Sequence, residues 1–165
     1  MIPLRIGTAL LALGAIGFAS PLLAQTATDT FDVTITIADD CEITSTETLD
    51  FGTSGVLTAL IDQTAALGVT CTTGTPYDIG LDAGTAPGAT TTTRGMTSPA
   101  TDTIGYEIFQ NPGRTANWGD TVSTDTIAST GTGTAQSFPV YGRVPAQTTP
   151  ATGVYTDTIT ATITF

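Results

Sequence analysis

The sequence contains no histidine and no lysine, and its basic residues are four arginines, Arg5, Arg94, Arg114 and Arg143. Without histidine, a Ser–His–Asp triad, a Cys–His nucleophile pair and a histidine-ligated zinc site are all out of reach. Without clustered Lys and Arg nothing neutralises phosphates, so 15 acidic residues set the chain against nucleic acid and anionic membrane surfaces and favour a basic partner. Long apolar runs are scarce as well. After residue 24 no stretch reaches the roughly 18 consecutive apolar residues of a membrane-spanning helix, and no window carries a helical apolar period.

The first 24 residues have the layout of a secretory signal: a positive charge at Arg5, an apolar run from Ile6 to Phe18, and small Ala24 as the last residue removed. Residues 25–165 are then one exported domain, long enough to bury a core. Cys41 and Cys71 are the only cysteines, and an even pair in an exported chain is read as a disulfide. Closing that loop contributes on the order of 3–4 kcal/mol in the chain-entropy model.

What the sequence has in abundance is Thr, Gly and β-branched residues, which suit strands and turns. Phe31, Val33, Ile35 and Ile37 alternate with Asp32, Thr34 and Thr36, the pattern of a half-buried strand. Val154 to Phe165 alternates too. There Asp157 interrupts the apolar face, so its buried part is expected to run through Ile159, Ala161, Ile163 and Phe165. Between these ends lie short β-like runs at Leu49–Phe51, Leu67–Thr72, Tyr77–Leu81, Ile104–Phe109 and Phe138–Val144. Turn residues divide them at Gly52, Gly74-Thr75-Pro76, Gly84–Gly88, Asn111-Pro112-Gly113, Gly131-Thr132-Gly133 and Pro145–Gly153. Many short strands with frequent turns predict an all-β sandwich or barrel, and the regular alternation argues against disorder.

Candidate chemistry is thin. Asp39-Asp40-x-Glu42 lacks the alternating spacing of a calcium loop and reads as a solvated acidic turn. Glu107 and Asp120 have the residue types of a glycosidase acid and base, but nothing in the sequence brings them into one cleft. Trp118, near Arg114 and Asn117, is either a sugar-stacking platform or, as large aromatics more often are, a plug in the sandwich.

Taken in order, Phe31–Ile37, Cys41, Leu49-Asp50-Phe51-Gly52, Gly68-Val69-Thr70-Cys71, Tyr77–Leu81, Ile104–Phe109, Phe138–Val144 and Gly153–Ile159 closing at Phe165 resemble the spore coat protein U family, which includes major subunits of archaic chaperone–usher pili. The resemblance implies an incomplete immunoglobulin-like β-sandwich, completed by an N-terminal strand donated from a neighbouring subunit. It also implies three partners: a periplasmic chaperone that fills the groove first, an outer-membrane usher, and neighbouring copies in a homopolymer. Phe31, Val33, Ile35 and Ile37 stand where donor residues belong, Cys41 and Cys71 match the family's disulfide, and Ile159, Ala161, Ile163 and Phe165 match the strand flanking the groove. The expected organisation is a signal peptide at 1–24, a donor extension at 25–40 and a pilin domain at 41–165, without cofactor or catalytic activity. A secreted lectin-like adhesin and a spore-coat structural protein are the alternatives.

Overall fold

The computed structural model describes residues 24–165, so the expected signal segment, up to residue 23, lies outside the described residues. The chain divides between Ile35 and Thr36. In the first unit, residues 24–35 carry neither helix nor strand. Phe31, Val33 and Ile35 hold their side chains in the open, Phe31 at 86% exposure.

The second unit is all β. Eight strands follow one another: β1 (Cys41–Thr46), β2 (Ile61–Cys71), β3 (Pro76–Leu81), β4 (Arg94–Thr97), β5 (Thr103–Phe109), β6 (Ile127–Thr130), β7 (Gln136–Val144) and β8 (Ala161–Thr164). They form a five-stranded sheet in the order β1-β2-β7-β5-β4 and a three-stranded sheet in the order β6-β3-β8, with every pairing antiparallel. Alternation decides which face is buried. Ala65, Leu67, Val69 and Cys71 of β2, Tyr77, Ile79 and Leu81 of β3, and Tyr106 and Ile108 of β5 all enter the core at every second position.

Two side chains fasten one sheet to the other. Trp118 is fully buried; its indole N–H donates to Ile79 O of the small sheet at 2.9 Å, and its backbone N–H donates to Ile108 O of the large one at 3.0 Å. Arg94 of β4 is also buried. Its guanidinium donates to four backbone carbonyls, those of Leu81, Asp82, Thr91 and Trp118, at 2.6–2.9 Å. A charge taken out of water has to be hydrogen-bonded throughout, and here carbonyl oxygens meet that demand. Burial pulls the Arg94 pKa below the ordinary arginine value, and Tyr106 and Asp82 act in the opposite direction.

Cys41 and Cys71 are register partners in the β1–β2 ladder and are joined by a disulfide. Several strand boundaries differ from the sequence expectation. Residues 31–37 pair with no strand, because an alternating segment forms a ladder only when a neighbouring edge accepts it. Leu49–Phe51 is a loop whose side chains cover the backbone at Gly142. From Val154 to Thr160 a single bridge at Thr156 forms, and regular pairing starts at Ala161. Strands β1, β4 and β6 carry too few apolar residues to announce themselves.

Gly131 sits where the β6–β7 connection crosses the end of β2. A Cβ there would run into Thr72 O and would lie 2.9 Å from Cys71 O. Both are backbone atoms that cannot step aside. Gly131→Ala should therefore destabilise the fold by about 1–3 kcal/mol in denaturant unfolding. Gly153→Ala, whose Cβ would meet only Tyr155 at 3.9 Å, should stay within about 0.5 kcal/mol of the parent.

Candidate interaction site

The small sheet ends at β8, four residues long, which pairs only with β3 among the described strands. Beside it the sandwich is open. An apolar cleft of about 1010 Å³ runs between the sheets. Leu67, Tyr106, Ile108, Val140 and Val144 line it from the large sheet, Leu81 and Ala161 from the small one with Ile159 just before β8, and residues 46–55 and 149–158 form its rim. Along β2 the cleft reaches from Ile61 to Leu67; Val69 and Cys71 lie beyond it, where β1 and the disulfide close the sandwich.

Of the four residues expected on the groove edge, Ile159 and Ala161 line this cleft. Ile163, which like those two packs against the core cluster, does not line the cleft, and Phe165 is 59% exposed outside it. Strand β8 runs from the cleft toward the disulfide end, with Ala161 opposite Leu81 and Thr164 opposite Asp78, which carries its last two apolar residues past the opening. Phe31, Val33, Ile35 and Ile37 are all exposed.

Polar groups that the sequence reading did not assign hold the rim. Asp157, which interrupts the apolar alternation, accepts a hydrogen bond from the Tyr106 hydroxyl at 2.7 Å and two from the backbone N–H and hydroxyl of Thr85, both at 2.7 Å. Gly84, at φ +80°, leaves the room this requires, since a Cβ would collide with the Asp157 carboxylate. Burial, and then the contact with Asp157, push the Tyr106 pKa up, so the phenol stays a donor. The signal for this arrangement was present: a carboxylate in an apolar register needs a buried donor, though its identity depended on the fold.

Asp82 does similar work one step along. Its carboxylate accepts from Gly84 N–H at 3.0 Å and Thr160 N–H at 2.9 Å, tying the residue before β8 to the end of β3. Burial raises its pKa, but the bonds from Thr160 and Gly84 and the nearby Arg94 outweigh that and leave it below the ordinary carboxylate value.

The other candidates are not assembled. Trp118 is enclosed and presents no face to a sugar. Arg114 turns back to the large sheet, donating to Gly142 O and Gln63 O, while Asn117 turns to Asp125. The lectin platform is therefore corrected to a core plug, because the indole buries more surface inside and finds its acceptor there. Glu107 sits opposite Arg143 on the outer surface of the large sheet, and Asp120 packs beside Gly80 of the small one, so they share no cleft. In the acidic turn, Asp39 accepts from the Thr75 hydroxyl and Asp40 from Cys41 N–H. Among the described residues no group of three or more His, Cys, Asp or Glu converges as a metal site.

An all-β sandwich with an open apolar cleft beside its last strand, preceded by an uncovered alternating segment, has the fold of a chaperone–usher pilus subunit. The chain belongs to the family defined by the Spore Coat Protein U domain, whose model matches residues 27–162. It is 32% identical over 160 residues to Protein U of Myxococcus xanthus, covering 88% of this chain and 89% of that one. Among solved structures it is similar to a chain of the CsuC–CsuE chaperone–tip adhesion subunit pre-assembly complex from the archaic chaperone–usher Csu pili of Acinetobacter baumannii, with 27% identity and a TM-score of 0.57. That match covers 79% of this chain and 40% of the solved one, so this chain spans about two fifths of its length.

The Asp82 tie has a pH signature. A carboxyl with a depressed pKa in the folded state stabilises the fold above its unfolded value, and loses that contribution as pH falls through the folded one. Asp82→Asn should lower the melting temperature at neutral pH. The gap between variant and parent should shrink as the pH is taken down through and below 3.8, read by thermal melts in a pH series.

Proposed function

We propose that the protein is a non-catalytic structural subunit of an extracellular fibre, polymerised by donating residues 31–37 into the cleft of a neighbouring copy. The observation that carries this reading is a match in length and chemistry. Phe31 to Ile37 spans six residue steps with four apolar side chains on one face, and the cleft runs six steps along β2, from Leu67 to Ile61. At strand rise both extend about 20 Å. An added strand would also run beside the chain leading into β8 and bury four exposed apolar side chains, which is the physics of strand addition.

In this reading residues 1–24 direct export, 25–40 form the donor extension, and 41–165 form the acceptor domain. A periplasmic chaperone holds the cleft until an outer-membrane usher exchanges it for the next subunit's extension, and the product is a surface fibre serving adhesion or biofilm formation. Because the donor and the acceptor of one copy engage different neighbours, the assembly does not close on itself. The description of the matching family, Spore Coat Protein U, favours a second reading of the destination, in which the same exchange builds a spore coat.

Ile35→Asp tests the donor assignment. It would carry an unpaired carboxylate into an apolar cleft, a cost of several kcal/mol. Cells producing it should lose fibres, seen by electron microscopy, while the subunit still co-purifies with its chaperone, because that contact uses the cleft. Normal fibre yield from Ile35→Asp would overturn the assignment.

A further inference from the structure

A subunit carrying both a donor and a cleft could satisfy itself by folding its own segment 31–37 back, and polymerisation would then fail. The chain joining the two is not a free linker. Thr72 N–H donates to Asp40 O at 2.9 Å, the Thr72 hydroxyl donates to Ala38 O at 3.1 Å, and the Thr75 hydroxyl donates to Asp39 Oδ1 at 2.7 Å. Thr75 is 2% exposed, one of two buried polar residues among the described residues, and its hydroxyl is aimed at Asp39. Its backbone is locked as well, with Thr75 N–H donating to Thr72 O and Gly131 N–H donating to Thr75 O. Residues 38–40 are thus rooted on the turn after β2, at the end of the sandwich closed by the Cys41–Cys71 disulfide.

The geometry points to a register lock: this root makes a subunit's own donor strand the wrong fit for its own cleft, so that only another copy's cleft accepts it. This inference rests on the donor-strand reading above and adds Asp39, Thr72 and Thr75 to it as positioning residues. The cleft begins at Leu67, four residues and about 13 Å along β2 from the rooted end. A strand running back from an intact root would set Ile37 level with Cys71, Ile35 with Val69, Val33 with Leu67 and Phe31 with Ala65. Ile37 and Ile35 would meet a closed sandwich. Asp29 would arrive level with Gln63, between the cleft-lining residues Ile61 and Ala65 and in the same inward register as Phe31, and its carboxylate would be drawn out of water without a partner. A segment from a second copy is not bound to this root and is free to set its four apolar side chains along the stretch of cleft between Leu67 and Ile61.

Because the mismatch is four residues and side chains alternate with a period of two, lengthening the chain between Ile37 and Ala38 should act by parity. The full chain from residue 25, disulfide intact, is refolded at micromolar concentration beside variants with three or four Gly/Ser residues inserted at that point. Mass is read by light scattering, and burial of 31–37 by amide hydrogen exchange. The parent and the three-residue insertion should give oligomers. The four-residue insertion should give a monomer with residues 31–37 protected, its monomer share raised roughly tenfold or more by an intramolecular concentration near millimolar. A parent that refolds to a monomer with 31–37 protected would overturn the lock, and so would two insertions that behave alike, since a free linker ignores parity. A separate arm adds a synthetic peptide of residues 29–38 to a chain lacking residues 25–38. A raised melting temperature shows that the cleft takes this strand, and any failure above then counts against the lock alone. No shift removes the donor-strand reading and the lock together.

Discussion

The open edge of β8 is the constraint on which the rest of this molecule depends. A strand at a sheet margin presents unpaired N–H and C=O groups, and here the start of that margin, at Ile159 and Ala161, borders apolar side chains from both sheets. Proteins usually blunt such an edge with charge, proline or a covering loop. In this chain the rim loops are held back from the opening, with Asp157 fastened to Tyr106 and Thr85, and Asp82 fastened to Thr160. These hydrogen bonds give two carboxylates, Asp82 and Asp157, partners within otherwise apolar stretches.

The same economy governs the positive charges. Arg94 is spent inside, where its guanidinium joins carbonyls from β3, the loop before β4 and the residue Trp118. Arg114 and Arg143 share Asp62 on the large sheet, the Arg143 contact at 2.7 Å and the Arg114 contact at 3.4 Å. With these three engaged, the described surface is dominated by carboxylates. Like-charged surfaces repel one another, which opposes non-specific association of copies through an exposed strand edge.

Much of this was legible in the residues. Alternation in Leu67–Thr72, Tyr77–Leu81, Ile104–Phe109 and Phe138–Val144 located the central strands, because a half-buried strand writes its period directly into the sequence. The cysteine pair was equally visible. Residues 31–37, read as a half-buried strand, are exposed and form no ladder, and of the four residues expected on the groove edge only Ile159 and Ala161 line the opening. Short polar strands such as β6, and the loop Leu49–Phe51 that looked like a strand, were not legible. Their state is set by which neighbour offers an edge, and local pattern carries no record of that.

By itself, then, the chain determined its strands' periodicity, the disulfide's two members, and the absence of histidine and lysine chemistry, since each of these is a property of residue type and spacing. Tertiary structure alone decided that Trp118 is a plug, that Ile163 and Phe165 lie past the cleft, and that Asp39 reaches the buried hydroxyl of Thr75. Those outcomes depend on where two sheets come to rest against each other. A hydrogen bond between residues 36 positions apart exists only once packing has brought both into one place.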